Sequence, residues 1–187
     1  MDEAELIQRA SQGDVKAWES LVQAHQEAVF RLAYLLLGDA DEAQDIAQEA
    51  FLRAYRSLAR FDTTRPLRPW ILRIAANLAR NQRRSAGRYL AALHRWIAAE
   101  PSQKTSIEDR SVQNLEAQAL WQAVQRLDEG GRQIVYLRYF LELSVEETAD
   151  AIGIAPGTVK SRLHRALERL RSLIERDFPI LTEGRES

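Results

Sequence analysis

The stretch Ser144–Arg171 constrains the fold most, because it encodes two helices and the tight turn between them. Ser144 followed by Glu147 is a capping-box pattern, so a helix starts there. Gly153 stands where that short helix stops, since glycine takes the left-handed conformation at little cost. Pro156 fits the first turn of the next helix, with Ala155 as a weak N-cap before it. Val159, Leu163, Ala166, Leu167, Leu170 and Ile174 then recur at helical spacing. Thr158, Ser161, Arg162, Arg165 and Arg169 occupy another face, and Lys160, His164 and Arg171 flank the apolar stripe. A short helix, a turn and a basic helix describe a helix-turn-helix, whose second helix can enter a DNA major groove. A helical hairpin with a solvated basic face fits the same pattern.

The rest of the chain points to an all-α protein. Strand-type alternation is scarce, and only eight glycines and five prolines interrupt 187 residues. Hydrophobic residues make up 45%, enough to bury a core. The absence of cysteine excludes disulfides, thiolate catalysis and zinc–thiolate sites. The acidic N-terminus lacks a signal-peptide core, and no apolar run approaches the roughly 18 residues of a membrane span, so a cytoplasmic location is expected. The net charge of −1 hides an uneven distribution. Asp39–Glu49 carries five acids and no base, Arg65–Arg88 seven arginines and no acid, and Gly157–Arg171 five bases against one acid. Two separate basic segments point to two contacts with a polyanion.

Taken in order, Asp14 caps a helix to about Leu37, with Trp18, Leu21, Val22, Val29, Leu32, Ala33 and Leu36 inward and Gly38 as its stop. A second helix runs from Ala40 to about Arg60, its first turn acidic as the helix dipole favours. Ala43, Ile46, Ala47, Ala50, Phe51, Ala54 and Leu58 form its inner stripe, leaving Asp45, Gln48, Glu49, Leu52, Arg53 and Arg56 outside. Phe61–Pro69 is a loop, because its two prolines hinder a helix. A third helix follows from Trp70 to about Arg84, with Ile71, Ile74, Ala75 and Leu78 inward. Its other stripe, Arg73, Asn77, Arg80, Asn81 and Arg84, combines phosphate-neutralising guanidiniums with carboxamides that pair with base edges. Phe61 and Trp70 either stack on an unpaired base or belong to the core.

Ser85-Ala-Gly is expected to interrupt that helix, and Tyr89, Leu90, Leu93, Trp96 and Ile97 make Ala86–Glu100 amphipathic. The polar Pro101–Ser111 is a linker. Helix returns from Val112 to Leu127, burying Leu115, Ala119, Leu120, Ala123, Val124 and Leu127. Asp128-Glu-Gly-Gly is a turn, and Ile134–Leu143 a helix leading into Ser144. After Asp177 the tail is expected to fray. His25, His94 and His164 lie on three different helices without ligand spacing, and no nucleophile, phosphate loop or carboxylate pair is placed for chemistry. Neither enzymatic activity, a metal nor a cofactor is expected.

Four segments together resemble the extracytoplasmic-function type of sigma-70 RNA polymerase sigma factor. They are Asp41–Phe51, Pro69–Asn77, Leu137–Ala149 and Gly157–Ala166, in the same order and spacing. The resemblance implies two small helical domains. Residues 1–88 would be a region-2 bundle, residues 89–111 a linker with an amphipathic helix, residues 112–178 a region-4 helix-turn-helix, and residues 179–187 a flexible tail. It further implies that Asp45, Gln48, Glu49, Leu52, Arg53 and Arg56 face the polymerase β′ clamp helices. Phe61, Trp70, Arg73, Asn77, Arg80, Asn81 and Arg84 would bind the −10 promoter strand. Thr158, Lys160, Ser161, Arg162 and Arg165 would read the −35 element. Core polymerase, including its β flap, promoter DNA and an anti-sigma factor are the implied partners. The sequence departs from the family at Asp128-Glu-Gly-Gly, where Leu-Pro is usual, and at Ala155, where Ser or Asn often caps. The rival reading is a stand-alone helix-turn-helix regulator, which leaves Asp39–Arg84 without a role.

Overall fold

A computed structural model describes residues 2–94 and 112–181. The linker Pro101–Ser111, the second half of the amphipathic stretch, the Leu115 side chain and the tail beyond Leu181 lie outside the described residues. All regular structure among the described residues is helical. Helix α1 spans Glu3–Ser11, α2 Val15–Leu37, α3 Ala40–Ser57 and α4 Leu67–His94. The second half contains α5 (Val112–Gln125), α6 (Glu129–Val135), α7 (Val145–Ile152) and α8 (Pro156–Asp177).

Local chemistry explains most boundaries. The Asp14 carboxylate accepts the Ala17 N–H at 3.1 Å, and Gly38 closes α2 at φ +80°. Asp39 caps α3 by accepting from the Glu42 N–H at 2.9 Å. At α7 the capping box is complete: the Glu147 N–H donates to Ser144 Oγ at 3.0 Å, and the Ser144 N–H donates to Glu147 Oε2 at 2.7 Å. Gly153 ends α7 at φ +78°, and Pro156 opens α8 after an Ala155 that makes no side-chain cap.

Helices α2, α3 and α4 pack around Leu21, Leu32, Ala50, Ile71 and Ala75, all buried. The whole expected inner stripe of α3 is buried. Helix α1 was not expected, and it is held by tertiary bonds. Glu3 Oε1 lies 3.1 Å from His25 Nε2, and Glu3 Oε2 accepts the Leu67 N–H at 3.2 Å, satisfying an orphan donor at the start of α4. Arg9 closes α1 onto α2 through Asp14 at 2.7 Å.

That ion pair and the Ala17 N–H hold the Asp14 carboxyl below its usual pKa. A lowered carboxylate pKa stabilises the fold above the unfolded value and loses that contribution as pH falls through the folded value. The stability difference between the protein and Asp14→Asn should therefore stay constant from roughly pH 5 to 8 and shrink below roughly pH 4. Urea unfolding across pH checks it; a difference that shrinks near neutrality would contradict the assignment.

Several expected boundaries are corrected. Helix α4 starts at Leu67 rather than Trp70, because Pro69 falls in the first turn, where no N–H is needed. It runs through Ser85-Ala-Gly without a break. Asp128-Glu-Gly-Gly is not a free turn: Asp128 caps α6 by accepting the Gly131 N–H at 3.3 Å, so the helix begins five residues before Ile134. That helix then widens at Tyr136–Phe140, where the Leu141 N–H bonds back to Tyr136 O at 3.0 Å. Leu120, expected inside, is exposed. Beyond Asp177 the chain does not fray at once: Phe178 is buried under the Arg126 guanidinium, and Pro179–Leu181 forms a 3-10 turn.

The two halves pack together. One continuous cluster of buried side chains runs from Ile7 through Ala79 to Val124, Tyr136, Ala151 and Leu173. Helix α4 lies against α2 and α3 on one side and against α7 on the other. This double burial explains why Leu72, Ala76 and Ala79 are buried in addition to the expected stripe.

Candidate nucleic-acid interface

Val159, Ala166 and Leu173 fix α8 to the core, which turns its opposite face to solvent. Lys160, Ser161, Arg162 and Arg165 are exposed there, and Thr158 is half-buried at the first turn. Ser161 Oγ donates to the Thr158 carbonyl at 3.1 Å, and Arg165 Nε to the Ser161 carbonyl at 3.3 Å. Arg162, Arg165 and Arg169 border a depression of about 420 Å³ whose floor includes Asp128, Gly130, Gly131 and Ala166. Its one acid, Asp128, is committed to the α6 cap, so three guanidiniums dominate the rim. The acids of α8 pair elsewhere, Glu168 with His164, Glu175 with Arg171, and Asp177 with Arg126 and Arg176.

A second basic surface follows α4. Arg73, Asn77, Asn81 and Arg84 are exposed, and Arg80 is half-buried. Phe61 and Trp70 lie 4.8 Å apart, tilted at 45°, and both lean on the core. The aromatic pair therefore supports the loop Phe61–Pro66 as well as presenting ring surface. Asp62 anchors that loop by accepting from the Thr64 hydroxyl at 2.7 Å and the Thr64 N–H at 3.0 Å. These bonds hold its carboxyl below the usual value.

The outer face of α3 is the third surface. Asp45, Gln48, Leu52, Arg53 and Arg56 are exposed, and Glu49 is half-buried and paired with Arg53 at 2.6 Å. Leu52 is 52% exposed and Tyr55, three residues on, 42%. Tyr55 extends this apolar spot and was overlooked; its spacing from Leu52 was the available signal. Arg169 borders the α8 depression, and Arg65 and Arg68 lie beside the aromatic pair, so all three add positive charge to these faces.

These surfaces define a class: an all-helical protein with two basic faces and a third face that mixes charges with exposed apolar side chains. The sigma-70 region 2 model matches residues 21–89, and the sigma-70 region 4 model matches residues 117–170. The chain is 33% identical over 177 residues to the extracytoplasmic-function RNA polymerase sigma factor SigW of Bacillus subtilis, covering 88% of this chain and 92% of that protein. It is 32% identical over 193 residues to the RNA polymerase sigma-H factor of Pseudomonas aeruginosa, covering 96% of each. Among solved structures, CnrH in complex with the cytosolic domain of CnrY superposes with TM-score 0.69 at 26% identity, covering 94% of this chain and 98% of that one. RpoE of Bartonella quintana in complex with the anti-sigma factor NepR gives TM-score 0.66 at 26% identity, covering 87% and 99%. The chain belongs to the extracytoplasmic-function group of the sigma-70 family of RNA polymerase sigma factors. A stand-alone helix-turn-helix regulator is not favoured, because region 2 covers the first domain.

Proposed function

We propose that three surfaces divide the work of promoter recognition. Asp45, Gln48, Glu49, Leu52, Arg53 and Arg56 dock on the polymerase β′ clamp helices. Phe61, Trp70, Arg73, Asn77, Arg80, Asn81 and Arg84 hold the −10 strand. Thr158, Lys160, Ser161, Arg162 and Arg165 read the −35 major groove. The protein acts without chemistry of its own, in the cytoplasm, and an anti-sigma factor restrains it. Residues 1–88 and 112–178 are the working domains, residues 89–111 connect them, and the β flap receives the second. The observation that supports this reading best is the order of two basic faces and one mixed face on segments that match regions 2 and 4.

Near-neutral net charge limits binding to free DNA, since few phosphates are neutralised. Polymerase raises the effective concentration of both domains at the promoter. An unstacked −10 base costs a few kcal/mol, which ring stacking and hydrogen bonding offset.

Reversing Asp45 and Glu49 to lysine should weaken capture by core polymerase about fivefold or more and leave unfolding nearly unchanged, since exposed i,i+4 pairs contribute only about 0.3–0.5 kcal/mol. A pull-down on immobilised core polymerase, with circular dichroism as the folding control, reads both. Undiminished capture would remove α3 from the polymerase contact.

A further inference from the structure

The loop Phe61–Pro66 is held at both ends by α1, a helix outside the three assigned surfaces. Asp62, Thr63, Thr64, Arg65 and Pro66 are all exposed, while Leu58 before the loop and Leu67 after it are buried. On the near side, α1 packs against Leu58–Arg60, and Ile7 and Ala10 join Leu58 in the core. On the far side, Glu3 Oε2 accepts the Leu67 N–H at 3.2 Å across 64 residues of chain. Pro66, the residue before α4, has no side-chain acceptor to cap it, and Pro69 in the first turn has no N–H. The start of α4 therefore takes its cap from α1, and a carboxylate suits the positive end of the helix dipole. The other Glu3 oxygen lies 3.1 Å from Nε2 of the buried His25, which fixes the carboxylate against α2. The opposite end of α1 is pinned too. Arg9 pairs with Asp14 at 2.7 Å, and the Gln12, Gly13 and Asp14 N–H groups donate to the Arg9 and Ala10 carbonyls. A helix of 9 residues is too short to stand alone in water, so α1 and the segments it joins order one another.

We propose that α1 is a brace for the −10 loop, with Glu3 as its positioning residue, acting on promoter opening through Leu67 and His25 without touching DNA. The proposal rests on assigning Phe61–Arg84 to the −10 strand. A brace that joins both ends of a loop limits the conformations the loop samples before a base arrives, which lowers the ordering cost of binding. Phe61 and Trp70, whose rings lie 4.8 Å apart, stand just inside the two braced ends. With the brace cut, the strand must order the loop as it binds. Capture of an unstacked base weakens, and duplex opening, which depends on that capture, weakens with it. Reading of the −35 element by α8 does not change.

Glu3→Ala in the full chain tests the brace at two levels. Hydrogen–deuterium exchange should quicken about fivefold or more over residues 58–70, as loss of a buried hydrogen bond allows, and keep the parent rate over residues 156–177. With core polymerase, run-off transcription should fall about fivefold or more on the duplex promoter and return to within about twofold of the parent on a template mismatched over the −10 element. Glu3→Gln keeps an oxygen that accepts the Leu67 N–H and should restore both readouts. Parent-like exchange over residues 58–70 in Glu3→Ala would overturn the brace. Exchange that quickens over residues 156–177 as well would overturn it too, because Glu3 would then support the whole fold rather than the loop. Undiminished transcription from the duplex, or an equal deficit on both templates, would overturn its role in opening. Arg84→Ala keeps the two readings apart. Opening retained in Arg84→Ala would remove α4 from the −10 strand, and the brace's role with it. Opening lost in Arg84→Ala but complete in Glu3→Ala would remove the brace alone.

Discussion

Replacing Arg162 and Arg165 by alanine should each lower discrimination for the −35 element by about 1–3 kcal/mol, or about 5- to 150-fold. The two guanidiniums stand three residues apart on the exposed face of α8, one turn of helix, so they reach neighbouring base pairs of one groove. A bidentate arginine contact fixes base identity, whereas a phosphate contact fixes only position. Lys160→Ala should therefore behave differently: it should weaken all promoters alike and lower the salt dependence of binding by about one ion. Both arginines are exposed, so the variants should unfold at the parent midpoint. Transcription from the mapped promoter, set against the same promoter with a scrambled −35 element, measures the effect. Unchanged preference in the Arg162→Ala, Arg165→Ala double variant would remove this face from base reading.

The second large effect concerns the two neighbouring glycines of α6, only one of which should be sensitive to a β-carbon. A β-carbon on Gly131 would stand 2.7 Å from Asp128 Oδ1 and 3.2 Å from Ala166 Cβ. Gly131→Val should displace the Asp128 cap and push α6 away from α8, costing about 2–4 kcal/mol by overpacking and loss of a cap. That is a large part of the stability of a small domain, about 5–15 kcal/mol. The depression bordered by Arg162, Arg165 and Arg169 should deform with it, so −35 recognition should fall even where the protein stays folded. A β-carbon on Gly130 meets only Asp128 Oδ2, at an ordinary 3.5 Å. Gly130→Ala should be neutral or stabilise by up to about 1 kcal/mol, because alanine reduces the freedom of the unfolded chain. Urea unfolding of the two variants tests the pair. Equal effects at both positions would refute the role given to the Gly131–Ala166 approach.

This contact explains the departure from the family at Asp128-Glu-Gly-Gly. Read locally, the two glycines signal a turn. In the fold, Asp128 satisfies an orphan N–H, and Gly131 admits the close approach of α8. A remote residue, Ala166, therefore decides the conformation of a stretch whose local signals point elsewhere. Helix α1 was hidden for a similar reason. Its stability comes from Glu3 bonding to His25 and Leu67, 22 and 64 residues away. Boundaries carried by local chemistry were legible: Asp14 and Gly38 around α2, and Ser144, Glu147 and Gly153 around α7. The inner stripe of α3 was legible because periodicity alone places it. The Arg/Asn stripe of α4 was legible as a basic face. Its partners Glu129 and Gln133 were not, because they lie about 50 residues further along the chain, with Arg80 and Gln133 separated by 53. The weak cap at Ala155 finds no replacement donor or acceptor in its own side chain; Pro156 at the helix start supplies the local restraint.

The central claim is that the chain confers promoter selectivity on polymerase through these two basic faces together. Run-off transcription with purified core polymerase on a genomic promoter library tests it most directly. We expect defined transcripts only when both the protein and core polymerase are present, sharing one −10 and one −35 sequence. Arg73→Ala with Arg84→Ala should abolish strand opening, and Arg162→Ala with Arg165→Ala should lose the −35 preference. The absence of any protein-dependent transcript, or transcripts indifferent to both pairs of substitutions, would contradict the account.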